Sequence, residues 1–117
     1  MDDYDQGTLS FRWLVFQGVT GSFCFNITHL PLQNLQPGNY QGVPSSEYYT
    51  AGYYTFFTDY SYMIVLNNPP IRFTQGNIVY TKEGGDDVFT INFIDQTGAS
   101  YYGTYRGILE YRSETTD

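Results

Sequence analysis

The clearest alternation of apolar and polar positions runs from Val88 to Tyr111. In Phe89-Thr90-Ile91-Asn92-Phe93 every second residue is apolar, which places Phe89, Ile91 and Phe93 on one face of a strand and Thr90 and Asn92 on the other. Asp95-Gln96-Thr97-Gly98 has turn chemistry, because Asp can bond its own backbone and Gly accepts positive φ. The return run puts Tyr101, Gly103, Tyr105, Gly107, Leu109 and Tyr111 on one face and Tyr102, Thr104, Arg106, Ile108 and Glu110 on the other. Two glycines on one face leave room for a bulky neighbour, or else mark a bulge. The pattern predicts two long strands joined by a tight turn.

The same reading extends along the chain. Leu9 to Phe16 reads as one strand, with Leu9, Phe11, Trp13 and Val15 sharing a face. After the turn Gln17 to Gly21, the run Ser22 to Thr28 alternates cleanly, with Phe23, Phe25 and Ile27 inward. His29 to Pro44 is rich in Pro and Gly and reads mostly as connection, with Leu30, Leu32 and Leu35 available to plug the core and a type II turn expected at Pro37-Gly38. Ala51 to Thr58 and Tyr60 to Leu66 read as the arms of a hairpin turning at Thr58-Asp59. Asn67-Asn68-Pro69-Pro70 breaks the chain, Ile71 to Glu83 follows as one or two strands, and Gly84-Gly85-Asp86-Asp87 turns into the central hairpin. The expectation is a single all-β domain over residues 1–117, an antiparallel β-sandwich of about eight strands with residues 1–8 and 113–117 as loose tails. A small calycin-like β-barrel is the alternative.

Several of these elements, in this order, resemble small secreted or lipid-anchored β proteins of Bacteroidetes bacteria, many of uncharacterised function. The matching elements are Leu35-Gln36-Pro37-Gly38-Asn39-Tyr40, Gly76 to Tyr80, Phe89 to Phe93, Asp95 to Gly98 and Gly103 to Leu109, so the resemblance spans roughly residues 23–111. It implies a β fold and a secreted or cell-envelope location, and brings no catalytic residues with it.

Composition narrows the function classes. Tyrosine (13), glycine (12) and an aromatic share of 20% favour strands and turns. The formal net charge of −7 gives no electrostatic footprint for nucleic acid. No run approaches the roughly 20 apolar residues of a spanning helix. The start, Met1-Asp2-Asp3-Tyr4-Asp5, lacks the basic opening of a signal peptide, so an exported protein would have lost its leader before Met1. Cys24 is the only cysteine, which excludes an intrachain disulfide.

The densest chemical feature is Tyr48 to Tyr62, which holds Tyr48, Tyr49, Tyr53, Tyr54, Tyr60 and Tyr62 among small polar residues. Alternation cannot hide all of these rings. Tyrosine offers a flat apolar face and a hydroxyl, suited to stacking on a sugar or to a protein contact. These six tyrosines are the candidate ligand-binding residues, with a glycan or a protein as the partner. Asp86, Asp87 and Glu83, and Asp95, carry oxygen ligands of the kind calcium takes, but their spacing matches no EF-hand and they read as solvated turn carboxylates. His29 is the only histidine, which leaves no His-rich metal site. Cys24 lies on an alternating strand with no triad around it. No catalytic set, metal site or cofactor site is expected. The reading is a non-catalytic envelope or secreted β module. Two other readings remain, a structural subunit pairing by a strand edge and a small barrel holding a hydrophobic ligand.

Overall fold

The fold is taken from a computed structural model, which describes residues 2–4, 6–10, 12–19, 21–28, 35–47, 50, 52 and 54–112. Ten strands occur among them: β1 (Asp2–Tyr4), β2 (Gln6–Ser10), β3 (Trp13–Gln17), β4 (Gly21–Ile27), β5 (Gly38–Val43), β6 (Thr55–Val65), β7 (Ile71–Glu83), β8 (Asp86–Asp95), β9 (Ser100–Gly107) and β10 (Glu110–Arg112). One short 3-10 turn, Ser45–Glu47, precedes β6.

The all-β expectation holds. The strands do not form two facing layers, however. All ten belong to one sheet in the order β1-β9-β8-β7-β5-β6-β4-β3-β2-β10. β1 and β2 sit toward opposite ends of that order, yet only one residue separates them in the chain. β9 and β10, two residues apart, do the same. Chain neighbours lie within a few Å of each other, so the two ends of the sheet must lie side by side. The sheet is therefore curled on itself, in the sense of the barrel alternative. Residues 2–4 pair in parallel with β9, and residues 8–10 pair in parallel with β10 and antiparallel with β3. The residues 1–8 expected as a loose lead-in are thus built into the seam, apart from Met1 and Asp5, which lie outside the described residues. Tyr4 is buried there, its ring 5.0 Å from Phe23. Residues 113–117 also lie outside.

The remaining elements mix agreement and correction. Phe89, Ile91 and Phe93 are buried on β8, and Gly103, Tyr105 and Leu109 face the same interior, as the alternation predicts. Gly84 and Gly85 form a two-residue turn with φ of 59° and 90°, a left-handed conformation that glycine adopts freely. The expected strand from Leu9 to Phe16 is instead a hairpin, β2 to β3, with Ser10 opposite Trp13. On β3 Leu14 and Phe16 are buried while Trp13 and Val15 are half-buried, and on β2 Leu9 is buried. Arg12 holds this turn by donating from Nε to the Ile27 carbonyl at 3.2 Å and from its terminal nitrogen to the Thr28 carbonyl. Thr58-Asp59 does not turn the chain. β6 runs straight through, and the extra residues make a bulge opposite Cys24 and Asn26. Ser61 fills the bulge, accepting from Asn26 N at 3.0 Å and donating to the Phe57 carbonyl. Asp59 points the other way and accepts from Ser45 N at 2.8 Å. Gly38 begins β5 without the positive φ a type II turn would need there.

Rings fill the interior. Phe16 lies 4.8 Å from Phe89, Phe23 5.0 Å from Phe93, and Phe25 5.2 Å from Phe56. Burial of these side chains is the main stabilising term, each contributing about 2–3 kcal/mol by area. Gly103 makes room for them, since a Cβ there would stand 2.7 Å from Phe23 and 2.9 Å from Tyr4. Gly103→Ala should therefore cost about 1–3 kcal/mol by overpacking, read from urea unfolding. A change below about 0.5 kcal/mol would mean that these rings give way freely.

Candidate functional site

The six predicted tyrosines do not make one platform. Tyr48, Tyr49 and Tyr53 lie outside the described residues. Tyr54 is 45% exposed, but its ring lies over Gly38 and 5.2 Å from Tyr40. Tyr60, 52% exposed, stands on the β6 bulge, edge-on to Phe57 at 5.7 Å. Tyr62 lies on the outer face between the Trp13 ring at 6.1 Å and the Arg72 guanidinium at 5.2 Å. No ring contact joins Tyr54, Tyr60 and Tyr62 to one another.

A different arrangement emerges on the outer face of β5, β7, β8 and β9. Register sets it. Gln41 is opposite Asn77, Asn77 opposite Asn92, and Asn92 opposite Tyr102. Opposed residues share a face, and Asn92 follows the buried Ile91, so all four side chains point outward. The next residues along the strands, Gly42, Gly76, Phe93 and Tyr101, belong to the inward set. One step further, Gln75, Ile94 and Ser100 form a second outward row, with Gln75 opposite Ile94 and Ile94 opposite Ser100. Between the two rows runs an open trough of about 500 Å³, floored by Gly42, Gly76, Phe93 and Tyr101. Its walls stand about 7 Å apart and it crosses four strands over about 14 Å, from the standard strand rise and spacing. The wall amides are available. The side chains of Gln41, Gln75 and Asn92 have no hydrogen-bond partner among the described residues, and Asn77 donates only to Asn39 at 3.1 Å.

Sequence reasoning assigned Asn92 to the outer face and gave it no further role. The usable signal was there, since Asn is depleted in strands, and Asn39, Gln41, Gln75, Asn77 and Asn92 all occupy outward strand positions or their margins.

The carboxylates are committed elsewhere. Asp87 is buried rather than solvated, accepting from Tyr80 Oη at 2.6 Å, Leu109 N at 2.7 Å and Lys82 Nζ at 2.8 Å. Burial alone would raise its pKa, but the donors from Lys82, Tyr80 and Leu109 outweigh it and the net shift is downward. Asp95 is buried within its turn, accepting from the Thr97 hydroxyl at 2.6 Å and from the backbone of Thr97 and Ala99. These donors, the Thr97 hydroxyl foremost, hold it at about 2. Glu83 and Asp86 both pair with Arg106, at 2.9 and 3.2 Å. No cluster of three or more metal-ligating side chains occurs among the described residues. Cys24 is buried on β4, which pushes its thiol pKa up, and His29 lies outside the described residues. No described helix is long and apolar enough to cross a membrane.

Comparisons with protein-family models, with curated proteins and with solved structures each find no match to this chain.

Proposed function

We propose that the protein is a non-catalytic β module that binds glycan, and that its contact surface is the trough across β5, β7, β8 and β9. One observation carries the reading: Gln41, Gln75 and Asn92, whose side chains have no partner among the described residues, stand with Asn77 at defined register positions beside the exposed ring of Tyr102. An amide offers a donor and an acceptor side by side, which is what two adjacent sugar hydroxyls need. The strand backbone that carries these amides is already ordered, so binding has to order the side chains alone. A secreted or cell-envelope location goes with this function and with the resemblance to Bacteroidetes β proteins. A protein partner contacting Tyr60 is the second reading, favoured by that ring's exposure on the bulge.

Glycan-array screening followed by calorimetry tests the proposal. The double variant Asn77→Ala/Asn92→Ala should lose about tenfold or more in affinity for any glycan bound, since each amide contributes on the order of 1 kcal/mol. Tyr60→Ala should stay within about twofold. Glycan binding indifferent to the amide changes and lost with Tyr60 would place the contact on the bulge instead.

A further inference from the structure

Resting on that reading, we infer that the trough takes an uncharged, linear oligosaccharide lying across the strands, with its end against Tyr102. The direction follows from the walls, because both outward rows run perpendicular to the strands. Successive amides of the first row, Gln41, Asn77 and Asn92, sit on successive strands, so they repeat about every 4.8 Å. That step is comparable to one pyranose residue in an extended glycan, and it lets each ring meet its own amide. A single sugar would reach only one or two of them. The row ends at Tyr102, 39% exposed, whose face suits the apolar side of a terminal ring.

The absence of charge follows from the lining. Gln41, Gln75, Asn77, Asn92, Ile94 and Ser100 make the walls, and among the described residues no Asp, Glu, Lys or Arg joins them. A uronate or sulfate entering the trough would shed water without meeting a cation. It would also approach a chain of net charge −7. Of the cations in the described side chains, Lys82 and Arg106 are bound to carboxylates on the β7–β8 turn, and Arg12 is bound to backbone carbonyls at the β2–β3 turn. Arg72 lies over Tyr62 on β6.

Calorimetry on the whole protein tests this with cello-, laminari-, malto- and manno-tetraose, the matching monosaccharides, and each tetraose oxidised to the uronate at its primary hydroxyls. At least one neutral tetraose should bind about tenfold or more tighter than its monosaccharide and than its oxidised form. Asn92→Ala and Tyr102→Ala should each weaken it by about fivefold. Both side chains are exposed, so the variants should keep the wild-type unfolding midpoint, which a parallel melt checks. An oxidised chain or a monosaccharide binding as tightly as the neutral tetraose, and still sensitive to Asn92→Ala, would overturn this inference and leave the glycan trough standing. No binding by any of these sugars overturns the inference, and the trough itself falls if the wider array is equally blank.

Discussion

Phe23→Ala should cost about 3–5 kcal/mol of unfolding free energy, the range for removing a large buried ring. Phe23 is fully buried on β4, and its ring meets Tyr4 from β1, Phe93 from β8 and Phe73 from β7 at 5.0, 5.0 and 6.3 Å. It therefore joins the N-terminal seam to the far wall of the curled sheet. Gly103 on β9 is shaped around the same ring, so the cavity left by alanine would have rigid backbone on one side and could collapse only in part. Domains of this size are stable by roughly 5–15 kcal/mol, so the loss would be a large share of the total. Phe23→Leu keeps most of the volume and should cost clearly less. Urea unfolding of the three proteins measures it. A loss under about 1 kcal/mol for alanine would mean that the interior is not packed around this ring.

Asp87→Ala should cost about 2–4 kcal/mol, because it strands the Tyr80 hydroxyl and the Leu109 amide in a dry site. Lys82 is exposed and returns to water, so its share of the loss is small. The pH dependence follows from the sign of the shift. The folded-state pKa of Asp87 lies below the ordinary carboxylate value of about 3.9. Its contribution is thus fully present above that value and is lost as pH falls through the folded-state pKa. Asp95, held at about 2, acts in the same window. Wild-type stability should therefore drop on acidification below about pH 4, and Asp87→Asn should show a shallower slope there, with the part due to Asp95 remaining. Denaturant titrations at a series of pH values would read both slopes, and equal slopes would remove Asp87 as the source.

Local chemistry made much of the fold legible. β8, its turn and β9 could be read because alternation, an Asx turn and glycine all lie within one short stretch. β3 could not be assigned a face, since Trp13, Leu14, Val15 and Phe16 are all apolar and only packing selects Leu14 and Phe16. The sequence between β2 and β3 carries no glycine or asparagine. It is held by Arg12 reaching carbonyls of β4, a contact outside any local window. Thr58-Asp59 has turn composition, but its carboxylate is used to hold Ser45 while the strand continues. The same limit hid the trough. Asn92 could be placed on an outer face, but Gln41, Gln75 and Asn77 could not, and the alignment of the four depends on the register of β5, β7 and β8, the first two of which are not neighbours in sequence. The tyrosine-rich run was conspicuous by composition, and its described members are distributed among separate neighbours.

The seam has a consequence for how the protein is made. Its two halves are far apart in sequence, Asp2 pairing with Gly103 and Thr8 with Glu110, so β1 and β2 are synthesised well before β9 and β10. Until residues 103–112 have been made, the aromatic interior lies open along that line and β3's neighbour has one bare edge. Closure is a long-range event, in which pairing of β9 and β10 with β1 and β2 turns an open ribbon into a curled sheet.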